Sequence, residues 1–190
     1  MNNIFTDQNF DRINFSESPI KSGEYDNCTF RNCDLSGSNL SEFRFYDCKF
    51  IDCNLSLVSL NNTGFRNTKF TNCKMLGLRF DDYNVNILSF SFDNCVLNHS
   101  SFYRTKIKKT LFKNCQLHEV DFTDCDLTNA IFDKCNLQGS VFYNSVLEKS
   151  DLRESSNYSI DPELNNIKNA VFNIQGLPGL LDKYDIIIEN

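Results

Sequence analysis

The chain has 190 residues, among them 18 Phe, 9 Cys, 7 Gly, 3 Pro and no Trp, and its net charge is −6 at neutral pH. That length suits one domain with a substantial core, and the acidic balance disfavours direct binding to nucleic acid, whose phosphates demand clustered Lys and Arg. The N-terminus lacks the basic start and apolar run of a signal peptide, and no stretch of about 18 apolar residues occurs, so a soluble, cytoplasmic protein without membrane contact is expected.

Read from the N-terminus, the chain repeats every five residues. Large apolar side chains stand at Phe10, Phe15, Ile20, Tyr25, Phe30, Leu35 and Leu40, and the series continues unbroken to Phe80 and Val85. Neither a helical period of 3.6 nor a strand period of 2 keeps such a pattern in phase. A chain that turns a corner every five residues does, and four such sides close a coil of about 20 residues whose inner face is buried only by stacking on its neighbours.

The residue two places before each apolar one is expected to point inward as well, where less room is available. All nine cysteines fall there: Cys28, Cys33, Cys48, Cys53, Cys73, Cys95, Cys115, Cys125 and Cys135. They read as small, reduced core hydrophobes rather than as disulfide partners or zinc ligands. None of the 25 acidic or 19 basic residues occupies either inward position, in keeping with the cost of burying an unpaired charge.

Between Val85 and Phe92 the phase slips, and an interruption is assigned to residues 86–91. It is either a neutral insertion or a contact element projecting from a regular rod. The period then resumes at Phe92 and runs through Phe102, Phe112, Phe122, Phe132 and Phe142 to Leu152. The repeat unit is set at 1–154 and a C-terminal cap and tail at 155–190. Within the tail, Asp161-Pro-Glu reads as a helix N-terminus and the segment from Pro178 as a further helical turn or two. Leu177, Leu180, Leu181, Ile186, Ile187 and Ile188 exceed what a plain cap requires and are candidates for a dimer interface. The expected fold is an all-β solenoid, a quadrilateral right-handed β-helix with a short helical C-terminal cap.

Segments such as Cys33-Asp-Leu-Ser-Gly-Ser-Asn-Leu-Ser and Cys125-Asp-Leu-Thr-Asn-Ala-Ile-Phe resemble the pentapeptide-repeat superfamily. Phe50-Ile-Asp-Cys-Asn-Leu, Phe70-Thr-Asn-Cys-Lys-Met, Asn157-Tyr-Ser-Ile-Asp and Leu180-Leu-Asp-Lys-Tyr-Asp-Ile are similar to its topoisomerase-protecting group, the Qnr-, MfpA- and albicidin-resistance-type proteins. That resemblance implies a homodimer joined through the tail. The rod would occupy the DNA-binding saddle of DNA gyrase or topoisomerase IV and protect that enzyme from a poison. Candidate partner contacts on this reading are Asp81, Asp82, Tyr83, Asn84 and Asn86 around the interruption, Asp121 and Asp124 on the rod, and Asp161 and Glu163 in the tail.

Charge supports mimicry of DNA only modestly. The side of the rod containing Phe15 carries three acids against one base and the adjacent side containing Ile20 five against three, together eight against four, sparse beside one charge per ~1.7 Å of duplex. No convergent pocket chemistry, phosphate loop, metal set or cofactor motif is present, so no enzyme is expected and no cofactor. A scaffold protein with an unrelated partner is the alternative.

Overall fold

A computed structural model of the chain describes residues 3–81 and 88–189. Among the described residues ten short strands form one continuous parallel sheet wound into a solenoid. They are β1 (Asn3–Thr6), β2 (Asn9–Asp11), β3 (Gly23–Asp26), β4 (Thr29–Arg31), β5 (Arg44–Tyr46), β6 (Lys49–Ile51), β7 (Gly64–Thr71), β8 (Leu88–Asp93), β9 (Leu111–Lys113) and β10 (Ile131–Asp133). The register is the expected one of about a coil, with Phe10 against Phe30, Phe30 against Phe50 and Phe92 against Phe112. Isolated parallel bridges such as Asp121↔Val141 carry the pairing along the sides that lack strands.

The interior is as the period requires. Phe10, Phe30, Phe50, Phe70, Phe92, Phe112 and Phe132 stack face to face with centroids 4.6–5.3 Å apart. This is close to the spacing of hydrogen-bonded strands. A second ladder, Phe80, Phe102, Phe122 and Phe142, meets the first edge to face, the arrangement that aromatic quadrupoles favour.

The corners explain an abundance of Asn that inward packing does not. Two residues after the inward side chain the backbone turns to positive φ, at Asn27, Asn32, Asn67, Asn72, Asn94 and Asn114 among others, a region that Asn and Asp adopt at least cost after Gly. Many of these amides donate to a carboxylate one coil away, as Asn27 Nδ2 does to Asp7 Oδ1 (2.6 Å) and Asn72 Nδ2 to Asp52 Oδ1 (2.8 Å). Elsewhere the turn closes on itself, with Phe43 N donating to the Leu40 carbonyl at 3.1 Å and Ala130 N to that of Leu127 at 2.8 Å, as in type II turns.

Two boundaries differ from the sequence reading. The array begins one repeat earlier, since Phe5 pairs with Tyr25 and stacks on it at 4.6 Å. At the interruption, where the phase is expected to slip, the register shifts: Leu88 pairs with Phe65 and Phe90 with Thr68, so β8 spans with two residues what β7 spans with three. Asp82, Tyr83, Asn84 and Asn86 lie outside the described residues.

The second difference concerns the C-terminal end, where the helix expected from Asp161 is a turn. Asp161 Oδ1 accepts the Glu163 N–H at 2.8 Å, as Asp121 does from Thr123 and Asp126 from Thr128 at other corners. A helix N-cap and this corner use the same side-chain acceptor, so the motif is ambiguous in sequence. The ladder itself continues past Leu152: Asn166 bridges Val146, Val171 bridges Asp151, and Ile167 and Phe172 pack on the core. Among the described residues helix is confined to two 3-10 segments, Ile174–Leu180 and Asp182–Tyr184, within the region where the second helical turn is expected.

Candidate partner-binding surface

Asp81, Asp121 and Asp161 recur on one side of the rod, the side whose inner ladder is Phe80, Phe102, Phe122 and Phe142. Glu163 lies on the same side and Asp124 at its corner. Few of these carboxylates are unengaged. Asp81 Oδ2 meets Arg79 Nη2 at 2.9 Å. Asp124 accepts from Asn144 Nδ2 (2.5 Å) and from Arg104 Nε (3.2 Å), and these two partners hold its carboxyl below the usual carboxylate range. A shallow groove lined by Arg79, Asp81, His99, Ser101, Tyr103 and Asp121 runs along this side. The side is therefore a mixed field of paired charges with two outward tyrosines, Tyr103 and the exposed Tyr143.

The C-terminal segment closes over the end of the rod as a strap. Tyr158 is buried beneath it, and the two glycines that cross Tyr158 have no space for a side chain: a Cβ at Gly176 would overlap the phenol and one at Gly179 the Tyr158 carbonyl. Ile160 N donates to the Gly179 carbonyl at 2.8 Å. Farther along, Lys183 Nζ reaches both Asp161 Oδ1 (2.7 Å) and Glu163 Oε2 (2.6 Å), and Tyr184 Oη donates to Glu163 Oε1 at 2.9 Å. Two acids proposed as partner contacts are thus the anchor of the strap.

The ammonium of Lys183 holds both carboxyls below their usual range. Depressed carboxyl values favour the attached state above the unfolded range near pH 4, and that contribution is lost as pH falls through the lowered values. Protection of the Ile160 amide from hydrogen exchange, relative to its intrinsic rate at each pH, should fall with acid in this window, and Lys183→Gln should remove that dependence while leaving the amides of β4 and β9 unchanged. An equal pH dependence in the variant would contradict the clasp.

The six candidate dimer residues divide. Leu180 and Leu181 are half-buried, and Leu180 packs on the core. Leu177, Ile186, Ile187 and Ile188 are exposed, Ile187 to 90%. Ile174, which the sequence reading did not include, is 80% exposed in the same 3-10 segment as Leu177. Among the described residues no group of three or more His, Cys, Asp or Glu is placed to hold a metal, and no helix is long and apolar enough to cross a membrane.

A family model, the pentapeptide repeat region, matches residues 23–91 and 85–159, well over half of the sequence. The chain belongs to the pentapeptide-repeat family. No curated protein matches the sequence. Among solved structures, trypsin-treated QnrB1, a plasmid-mediated fluoroquinolone resistance protein, is similar over 98% of this chain and 97% of its own, with a TM-score of 0.64 at 16% identity. HetL, a pentapeptide-repeat protein involved in heterocyst differentiation regulation in the cyanobacterium Nostoc sp. strain PCC 7120, is similar over 90% of this chain and 88% of its own, with a TM-score of 0.53 at 14% identity. At these identities the likeness is one of fold.

Within this pentapeptide-repeat rod the nine thiols are free and buried. Six of them, Cys28, Cys33, Cys48, Cys53, Cys73 and Cys135, also donate to backbone carbonyls of the preceding coil, as Cys48 Sγ does to Tyr25 O at 3.3 Å and Cys135 Sγ to Phe112 O at 3.3 Å. Burial pushes the Cys48 and Cys125 thiols up to about 12, so neither forms a thiolate near neutrality. A disulfide reagent at pH 8 should modify the native protein slowly and all nine thiols after unfolding; rapid modification of several in the folded state would show that the inward register is wrong.

Proposed function

We propose that the protein acts by binding rather than catalysis, as a homodimeric surrogate for duplex DNA that engages DNA gyrase or topoisomerase IV in the cytoplasm and protects it from a poison. The observation that carries this reading is the likeness of fold, almost end to end, to a fluoroquinolone resistance protein. Its dimensions agree. A rod of stacked coils about 35 Å long, doubled end to end through the exposed Leu177 and Ile186–Ile188 surface, spans about 70 Å, near 20 base pairs of duplex. Reduced, buried thiols suit the cytoplasm, where the topoisomerase works.

Because most rod carboxylates are paired, mimicry on this reading depends on shape and on a modest acid excess rather than on a dense line of charge. Adding the protein to purified gyrase should inhibit supercoiling at high concentration and, at lower concentration, reduce the cleaved DNA that accumulates with a fluoroquinolone. Unchanged supercoiling and unchanged drug-induced cleavage would remove the proposal. A regulatory scaffold with a different protein partner is the second reading, favoured by the similar fold of HetL, and inertness towards both topoisomerases would favour it.

A further inference from the structure

The corner row between the Phe15 side and the Ile20 side contains Gly37, Leu57 and Gly77, all at positive φ and stacked by backbone hydrogen bonds, Gly37 N to Ser56 O and Leu57 N to Leu76 O, each 2.9 Å. Leu57 has φ +60 and is 70% exposed. Among the described residues it is the sole apolar side chain, apart from glycine, at a left-handed corner; the others are Asn, Asp or long polar groups. An L-residue without a local hydrogen-bonding side chain is strained there, and an exposed leucine gains nothing from folding to offset it.

The surroundings isolate this side chain. A Cβ at Gly37 would meet nothing within 4 Å, and one at Gly77 would touch only Leu57 Cδ2, so Leu57 stands proud of the rod between two bare backbone steps. Residues 35–38, 55–58 and 75–78, which stack around this stretch of the corner, contain no charged side chain, and Asp34, Glu42, Lys74 and Arg79 stand just outside them. Depletion of charge around one apolar anchor is the composition of an interface centre. The corner is also where the two sides with the acid excess meet, so a partner that engages both must straddle it. Lys74 and Arg79 at its border are balanced by Asp34 and Glu42, so the patch lacks the clustered cations that nucleic acid or an anionic membrane requires.

We infer that Leu57 is the apolar anchor of the rod–topoisomerase contact, inserting into an aliphatic pocket on the enzyme while the glycines on either side admit close approach. This rests on the topoisomerase reading above and names a contact within it. The test measures binding of the full-length protein to immobilised DNA gyrase holoenzyme for the wild type, Leu57→Asn and, as a control, Leu111→Asn, which alters an exposed leucine on another side. Asparagine suits the left-handed corner, so Leu57→Asn should raise the thermal midpoint while weakening binding about tenfold or more, and Leu111→Asn should bind as the wild type does.

Equal affinity of Leu57→Asn and wild type would overturn the inference and leave the topoisomerase reading standing. Equal weakening by the two substitutions would overturn it as well, since the effect would not be specific to the corner. Loss of a dimer in Leu57→Asn would assign the knob to a second copy instead. No binding by the wild type would remove the topoisomerase reading together with the partner assigned here.

Discussion

Replacing Phe112 with aspartate is expected to abolish soluble, folded protein. The ring is fully buried, stacked on Phe92 at 5.2 Å and Phe132 at 5.0 Å, and set edge to face against Phe102 and Phe122. Deleting such a ring costs about 3–5 kcal/mol. An unpaired carboxylate in the same space costs several more, because no cation occupies an inward position to meet it. The sum approaches or exceeds the ~5–15 kcal/mol that holds a domain together. In a solenoid the damage lies at the middle, where two coils lose their mutual burial at once. Phe112→Leu, which keeps the position apolar, should fold with a loss of about 1–2 kcal/mol. Soluble yield and the circular-dichroism melting curve measure both. A soluble Phe112→Asp with the wild-type melt would contradict the inward ladder.

The double replacement Leu177→Asp with Ile187→Asp should convert a dimer into a folded monomer and cost most of the protective activity. Both residues are exposed in the single chain, so their change leaves the rod's own packing alone. Leu180 and Leu181 are unsuitable for this purpose, since they are half-buried and Leu180 packs on the core, and charge there would free the strap. Across a two-fold axis every substitution appears twice on the same interface, bringing four new carboxylates against an apolar surface. Sedimentation should report about 22.0 kDa in place of twice that mass, with the β-sheet signal retained. A dimeric double variant, or a monomeric wild type, would exclude the tail as the joint.

The rod was legible in the sequence because its constraints recur. A Phe or Leu every fifth residue, a Cys or Ser two before it and the exclusion of charge from both are local regularities, and each repeat tests the others. What escaped lies where one cue serves two structures or where partners are a coil apart. Asp161-Pro162-Glu163 offers a carboxylate acceptor that opens a helix or turns a corner equally well, and only the stacked coil beneath it decides. Asp124 reads as a free surface charge until residues 20 positions away on either side, Arg104 and Asn144, close on it. Lys183, 20 or more residues away in sequence, pairs with the two acids Asp161 and Glu163 at once. The Asn corner ladder did have a signal, an amide two places after many inward aromatics, and so did Phe5, five residues before Phe10.

Occupation of the DNA-binding saddle is tested most directly by competition. Labelled protein bound to DNA gyrase is titrated with an unlabelled linear duplex longer than the rod, at fixed ionic strength because duplex affinity depends steeply on salt. The surrogate-duplex account predicts complete displacement, with the protein's apparent Kd rising in proportion to the duplex added. A stable ternary complex of gyrase, duplex and protein, with the protein's Kd unchanged at saturating DNA, would contradict it.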